Sequence, residues 1–139
     1  MDISQIQVIG VVGAGTMGSG IAQVCAANGY QVRLVDVEQA ALDRALASIR
    51  ASVDKLHSKG KLSDAQRDAA LNQITTGLDL LDMSGAQLVI EAVSESLDVK
   101  RNVFRRLDEL TAPGAILASN TSSISITEIA AVTERPDKV

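Results

Sequence analysis

Three glycines near the start of the sequence have a spacing suited to binding a phosphate group. They form the pattern G-x-G-x-x-G, in which Gly13, Gly15 and Gly18 are separated by Ala14, Thr16 and Met17. Gly13 would permit a tight turn, Gly15 would let the backbone approach a pyrophosphate without a Cβ, and Gly18 would let a helix pack closely on a strand. Unpaired N–H groups near Thr16 and Met17 would face the phosphates at the positive end of that helix. Glycines at such positions can also mark an ordinary turn.

The surroundings of these glycines favour a dinucleotide site over a simple turn. An apolar run precedes them, a helical pattern follows, and Asp36 stands 18 positions after Gly18 at the end of the next apolar run. An acid at about 20 residues' distance accepts hydrogen bonds from a ribose of the dinucleotide. The same carboxylate would repel a 2'-phosphate by on the order of 4 kcal/mol per charge pair, and Val37 and Glu38 offer no compensating charge. NAD is therefore predicted over NADP, and the alternative for Asp36 is a plain residue at a strand end.

A strand, a helix and a second strand must position this loop. Residues 6–12 are apolar and β-branched except for Gln7 and Gly10, which is typical of a strand buried on both faces. Residues 19–28 have a helical pattern that ends at Gly29, and residues 32–35 form the next apolar run. A right-handed crossover between the two strands predicts a parallel sheet.

The rest of the chain continues this alternation of helix and strand. Apolar residues recur at intervals of three and four over 42–56, which predicts a long helix, and Gly60 is expected to end it. Ser63 and Gln66 predict a capping box for a second helix. The remaining predicted elements are a weak strand at 75–80, strands at 88–93 and 115–118, a helix at 97–110, and a short helix with a capping box of Ser125 and Glu128. The predicted fold is an α/β, Rossmann-type, doubly wound sheet of order 3-2-1-4-5, with a helical hairpin inserted after strand 2 and one domain over residues 1–139.

Composition excludes several classes of protein. Lys and Arg total 13 against 17 for Asp and Glu, a net charge of -4, and the only aromatic residues are Tyr30 and Phe104, so nucleic acid is not an expected partner. No apolar run approaches the roughly 20 residues of a membrane span, and no metal-ligand cluster is present in the sequence. Cys25 is the only cysteine and is expected to be a packing residue. A cytoplasmic location is the default expectation, because the first residues resemble no secretory or transit signal.

Four segments carry a resemblance to a known family. They are GAGTMGSGIAQ at 13–23, KGKL at 59–62, VIEAV at 89–93 and LASNTSSISI at 117–126. Together they resemble the NAD-binding domain of L-3-hydroxyacyl-CoA dehydrogenases, especially the bacterial 3-hydroxybutyryl-CoA type. The resemblance implies transfer of a hydride between C3 of a 3-hydroxyacyl-CoA and NAD, in fatty-acid or butanoate-type metabolism.

The resemblance also implies roles for individual residues. Residues 13–18 and Asp36 would hold the adenosine diphosphate, while Glu95 and Lys100 would contact the cofactor further along. Ser122 would contact cofactor and substrate as the active-site serine, and Ser52 and Lys59 would contact coenzyme A. Each has a plainer alternative: a helix first turn for Glu95 and Lys100, a solvated helix face for Lys59, and a turn serine for Ser122.

The resemblance further implies parts that these 139 residues do not supply. The final strands of its NAD-binding domain and its general-base histidine would follow residue 139, and its C-terminal helical domain, which covers the substrate and forms a homodimer, is absent from the chain. The one histidine, His57, is predicted to be a surface residue far from the glycines. Because a placed base contributes roughly 100-fold to 10,000-fold, the chain alone is expected to bind NAD with little or no turnover. The alternative function is a non-catalytic NAD(H)-binding module or redox sensor.

Overall fold

The computed structural model describes residues 2–139, over which strands and helices alternate. The strands are β1 (Val8–Val12), β2 (Gln31–Val35), β3 (Ile74–Gly77), β4 (Leu88–Glu91) and β5 (Ile116–Ser119). The α-helices are α1 (Thr16–Ala27), α2 (Gln39–Ser58), α3 (Asp64–Asn72), α4 (Leu97–Leu110) and α5 (Ile126–Ala130). Short 3-10 helices cover Ile3–Gln5, Leu80–Met83 and Pro136–Lys138.

All five strands run parallel in the order β3-β2-β1-β4-β5, which confirms the predicted fold class and strand order. Helices α2 and α3 form the predicted hairpin between β2 and β3. From β1 the chain adds β2 and β3 on one side, and it then crosses to the other side of β1 to add β4 and β5. In sheets of this kind, ligands bind in the crevice beyond the carboxyl ends of the two strands at which the chain changes side. The glycine loop, residues 13–18, begins at this point.

The core lies on both faces of the sheet because successive strand residues point to opposite sides. Ile9 and Val11 of β1 pack under α1, α2 and α3, whereas Val12 packs toward α4 and α5. On the first face α1 presents the small buried residues Ala22 and Ala26 to the sheet. This close approach holds the start of α1 directly above the end of β1.

Some predicted boundaries and caps differ from the structure. The first strand begins at Val8 rather than at residue 6, because the chain before it forms the 3-10 helix Ile3–Gln5, and Ile6 is the C-cap of that helix. The strand predicted weakly at 75–80 is Ile74–Gly77, since Asp79 then caps the next 3-10 helix. The capping box of Ser63 and Gln66 is confirmed. At Ser125 only one of the two capping bonds forms, from the Glu128 N–H to the serine hydroxyl.

The environment of Cys25 supports the prediction that it is a packing residue. It is half-buried on α1 against the first core cluster, and burial raises the pKa of its thiol. A thiol that ionises less readily is a weaker nucleophile.

Among residues 2–139, no helix combines the length and apolar character required to cross a bilayer.

Candidate functional site

The glycine loop joins β1 to α1, and two of its glycines are required by geometry. Gly13 has a φ of +106°, which residues with a side chain rarely adopt, and a Cβ there would lie 2.6 Å from the carbonyl oxygen of Ala92. A Cβ on Gly18 would overlap the carbonyl oxygen of Gly13. Gly18 therefore permits close packing, as predicted. The atom that a side chain would strike is the carbonyl oxygen of Gly13 in the loop, rather than an atom of the strand. A Cβ on Gly15 would project into open space outside the protein.

Several backbone N–H groups of this loop are free to bind a ligand. The N–H of Gly13 donates to Val35 O at 2.8 Å and that of Ala14 donates to Asp36 Oδ2 at 2.9 Å. For Gly15–Gly18, no acceptor lies within the described residues 2–139, as expected for a helix N-terminus. No side chain caps this end of α1 and no acid occupies its first turn. The loop therefore presents main-chain donors and the positive end of the helix dipole, an arrangement suited to an anion.

Asp36 stands directly after β2 and borders the glycine loop. Its Oδ2 accepts from the N–H of Ala14, and its Oδ1 accepts from the N–H of Glu38 at 3.0 Å. Each carboxylate oxygen keeps further acceptor capacity for a diol. The N–H of Ala14, one of the residues that the resemblance assigns to the adenosine diphosphate, is therefore bonded within the protein.

An apolar cavity of about 480 Å³ lies beside the glycine loop, between Asp36 and the segment that follows β4. Its apolar walls include Val37, Leu78, Val99 and Val103, and Val37 is 87% exposed. Side chains of this kind suit the faces of a planar ring. Sequence analysis missed this cavity, although an apolar residue directly after Asp36, where a solvated turn is expected, was an available signal.

A second cavity of about 440 Å³, which we call the serine cavity, adjoins the apolar cavity and shares Ala92, Val93 and Ser94 with it. Four residues that line it are Met17, Glu95, Asn120 and Ser122. Three of these, Met17, Glu95 and Ser122, are residues that the sequence analysis assigned to the site. The loops after β1, β4 and β5 thus converge at one edge of the sheet, as parallel strands require.

Glu95 connects two of these loops. Its Oε2 accepts from Thr121 Oγ at 2.8 Å and from Ser123 Oγ at 2.5 Å, and its Oε1 lies 3.3 Å from Lys100 Nζ. The hydrogen bonds from Ser123 and Thr121, followed by the ammonium of Lys100, hold the pKa of Glu95 below its ordinary value. The bonds from the Glu95 carboxylate to Thr121, Ser123 and Lys100 are therefore present at neutral pH, and they weaken as the pH falls through this lowered pKa.

Lys100 differs from its expected role as a residue that contacts the ligand. Its side chain is fully buried, with Nζ 2.6 Å from Glu91 Oε2 and 3.3 Å from Val93 O. An ammonium without exposed surface cannot touch a molecule in either cavity. In this structure Lys100 acts on the site through the residues that its ammonium contacts, which are Glu91, Val93 and Glu95.

A sequence model of one protein family covers nearly the whole chain. The family described as 3-hydroxyacyl-CoA dehydrogenase, NAD binding domain, matches residues 8–139. The chain belongs to this family. The resemblance drawn from the four segments is confirmed, and NAD is the cofactor of the domain.

Individual relatives agree with this assignment. The chain is 44% identical over 131 residues to a 3-hydroxybutyryl-CoA dehydrogenase of Clostridioides difficile, covering 94% of the chain and 47% of the relative. It is 47% identical over 135 residues to one of Mycobacterium tuberculosis, covering 96% and 47%. The crystal structure of (S)-3-hydroxybutyryl-CoA dehydrogenase PaaH1 from Ralstonia eutropha superposes with a TM-score of 0.91 at 43% identity, covering 96% of this chain and 47% of that one. The chain thus spans about half the length of these relatives.

The residues of the NAD-binding domain fit its cofactor. A Cβ on Gly15 would enter the space beside the free N–H groups, and a diphosphate needs both that space and those donors. The two cavities adjoin along Ala92, Val93 and Ser94, and together they offer space for the two nucleoside halves of a dinucleotide. Asp36 borders the apolar cavity and Ser122 borders the serine cavity.

The two residues expected to contact coenzyme A lie apart from the serine cavity. Ser52 lines a groove of about 590 Å³ between α1 and α2, where its hydroxyl accepts from Gln23 Nε2 at 3.1 Å. Lys59 is exposed at the C-terminal end of α2, beyond the residues that line this groove. Arg44 and Asp36 line the same groove, and this cation was not predicted from the sequence.

His57 is part of the helical hairpin and not of either cavity. Its Nε2 lies 2.6 Å from Asp64 Oδ1 across the connection between α2 and α3, and its side chain is about one-third exposed. It lines neither the apolar cavity nor the serine cavity.

Proposed function

We propose that residues 1–139 are the cofactor-holding part of a 3-hydroxyacyl-CoA dehydrogenase of the 3-hydroxybutyryl-CoA type. The observation that carries this proposal is the row of free N–H groups at Gly15–Gly18, with Asp36 on one side and Ser122 on the other. NAD supplies a hydride acceptor at C4 of its nicotinamide when it is bound. The substrate class is that named for the relatives, a 3-hydroxyacyl thioester of coenzyme A.

The adenosine half is held by charge, shape and apolar contact. Gly15–Gly18 donate to the diphosphate, while Gly13 and Gly18 keep the loop compact enough for those donors to converge. Asp36 accepts from the adenosine ribose hydroxyls, and its negative charge disfavours a 2'-phosphate. Val37 and Leu78 cover the adenine ring in the apolar cavity.

The nicotinamide half lies in the serine cavity, where the chain orients the reacting atoms. The hydroxyl of Ser122 donates to the 3-oxygen of the substrate and stabilises the charge that develops there. Glu95 borders the nicotinamide ribose and holds the neighbours of Ser122 in place. Lys100 is assigned a positioning role from beneath Glu95, because its ammonium is enclosed.

Coenzyme A contacts and assembly extend the proposal to the whole enzyme. Ser52 contributes a hydroxyl and Lys59 a point charge to the nucleotide of coenzyme A. A homodimer of the full-length protein, which the resemblance implies, belongs to the same proposal.

Proton transfer separates the two functions considered for these residues. The single histidine is bound to Asp64 on the helical hairpin, so these 139 residues place no imidazole beside Ser122. We therefore expect NAD binding with little or no turnover from this chain by itself. The same observation supports the second candidate, a non-catalytic NAD(H)-binding module or redox sensor. Such a module has no use for an acyl-CoA ligand.

Binding of acetoacetyl-CoA to the NADH-loaded chain distinguishes these functions. We expect NADH to bind, acetoacetyl-CoA to bind the loaded chain by calorimetry, and NADH absorbance to stay constant. Lys59→Ala should weaken acetoacetyl-CoA binding by about twofold to fivefold, the effect of one exposed ion pair. Lys61→Ala, the matched control two residues away, should leave binding unchanged.

Each opposite result has a definite meaning. A chain that fails to bind NADH would contradict both functions. NADH binding without acetoacetyl-CoA binding would favour the redox sensor. Steady oxidation of NADH by the 139-residue chain would show that it contains its own general base.

A further inference from the structure

A buried ion pair lies directly beneath the serine cavity. Glu91 is the last residue of β4 and Lys100 lies in α4, and the side chains of both are 0% exposed. Their charged atoms are 2.6 Å apart. Taking two charges out of water is costly, and an apolar pair of similar volume is often equally stable or more so. A buried pair at this position is therefore not explained by stability alone.

Every polar atom of this pair has a partner that belongs to the edge of the site. Glu91 Oε2 accepts from Lys100 and from the N–H of Val93 at 2.7 Å, and its Oε1 accepts from Ser119 Oγ at 2.6 Å. Lys100 also approaches Val93 O and Glu95 Oε1, each at 3.3 Å. Among the described residues no buried side-chain nitrogen or oxygen lacks a partner. A complete buried network of this kind rigidifies the segments that it joins.

The segments joined are the two loops that form the serine cavity. Glu91 and Lys100 fix the loop after β4 through Val93 and Glu95. Glu91 also fixes the end of β5, because its backbone oxygen accepts from the N–H of Asn120 at 2.8 Å. Glu95 then holds the two residues on either side of Ser122, which are Thr121 and Ser123. One continuous network of hydrogen bonds thus connects the two loops that line the serine cavity.

The geometry points to Glu91, together with Lys100, as a positioning residue that sets the spacing of these two loops for the nicotinamide half of the cofactor. This inference rests on the proposed binding of NAD across the glycine loop. The adenosine half depends on Gly15–Gly18, Asp36, Val37 and Leu78, which lie outside the network, and Val93 is the one network residue among 2–139 that also lines the apolar cavity. Substitution of Glu91 should therefore weaken binding of the nicotinamide half more than binding of the adenosine half.

The test compares NADH with ADP-ribose, which lacks the nicotinamide. We expect Glu91→Gln to weaken NADH binding about fivefold and ADP-ribose binding less than about twofold, because hydrogen bonds at one end of the cofactor are lost. The emission of bound NADH should also shift toward that of free NADH, since the ring is less well enclosed. Glu109→Gln, which changes an exposed acid on α4, is the matched control and should alter neither ligand's affinity.

A second variant keeps the test decisive if Glu91→Gln fails to fold with Lys100 left buried and unpaired. The double variant Glu91→Met, Lys100→Met replaces the pair by apolar side chains and should fold, yet show the same selective loss of NADH affinity. Equal losses for NADH and ADP-ribose, or no loss for either, would overturn the inference while the proposed function stands. A wild-type chain that binds neither ligand would overturn the proposed function and this inference with it.

Discussion

Replacing Gly18 by alanine is expected to reduce NADH affinity by at least about tenfold, because the added methyl group overlaps the carbonyl oxygen of Gly13. The carbonyl group of Gly13 cannot move away freely, because Gly13 is fixed on two sides. The N–H of Gly13 is bonded to Val35 O, and Gly13 packs closely against the backbone of Ala92. Relief of the overlap therefore shifts the loop whose N–H groups face the diphosphate. Fluorescence titration with NADH measures the loss, and urea unfolding should show a destabilisation of about 1–3 kcal/mol.

Gly20, two residues further along α1, provides a matched control. A Cβ there meets no atom of another segment within 4 Å, so Gly20→Ala should leave NADH affinity unchanged. Because alanine is a better helix former, the same variant should gain about 0.5–1 kcal/mol of stability. Equal NADH affinities for Gly18→Ala and wild type would show that the compact loop is not needed for binding.

Replacing Asp36 by alanine is expected to weaken NADH binding by about 10-fold to 100-fold, the value of hydrogen bonds from hydroxyls to a charged acceptor. The preference for NADH over NADPH should fall at the same time, since the carboxylate that repels a 2'-phosphate is gone. Arg44, which lines a groove shared with Asp36, is then a cation available to attract that phosphate. Parallel titrations with NADH and NADPH measure both effects.

Two further variants separate the charge of Asp36 from its structural bonds. Asp36→Asn keeps an oxygen for the N–H of Ala14, so its NADH affinity should lie between wild type and Asp36→Ala, with selectivity relaxed. Asp43→Ala removes an exposed acid of α2 that bonds only Gln39 among the residues described, and should change neither quantity. A selectivity for NADH that survives Asp36→Ala would exclude this residue from the ribose site.

The strand order and the glycine loop were predictable because their signals are local. Runs of β-branched residues mark buried strands, and a right-handed crossover leaves few ways to arrange them. The positions of Gly13 and Gly18 follow from the same logic, since only a residue without Cβ fits such a turn. Asp36 was found by its distance along the chain from the glycines.

The parts that sequence reasoning missed depend on contacts between distant segments. Val37 and Leu78 form a cavity wall only because β2 and β3 end side by side. Lys100 was assigned to the ligand, but its partner Glu91 lies in the preceding strand and draws the ammonium into the interior. An acid within the apolar segment at 89–93 was the available signal for that pair. Its meaning required knowing which helix packs above it.

Backbone amide chemical shifts of the 15N-labelled chain during titration with NADH test the central claim most directly. We predict the largest shifts at the free N–H groups of Gly15–Gly18, with further shifts at Val37 and in the loop around Ser122. Residues of the helical hairpin near His57 should be unaffected. Shifts confined to that hairpin, or none at saturating NADH, would contradict the placement of the cofactor across the glycine loop.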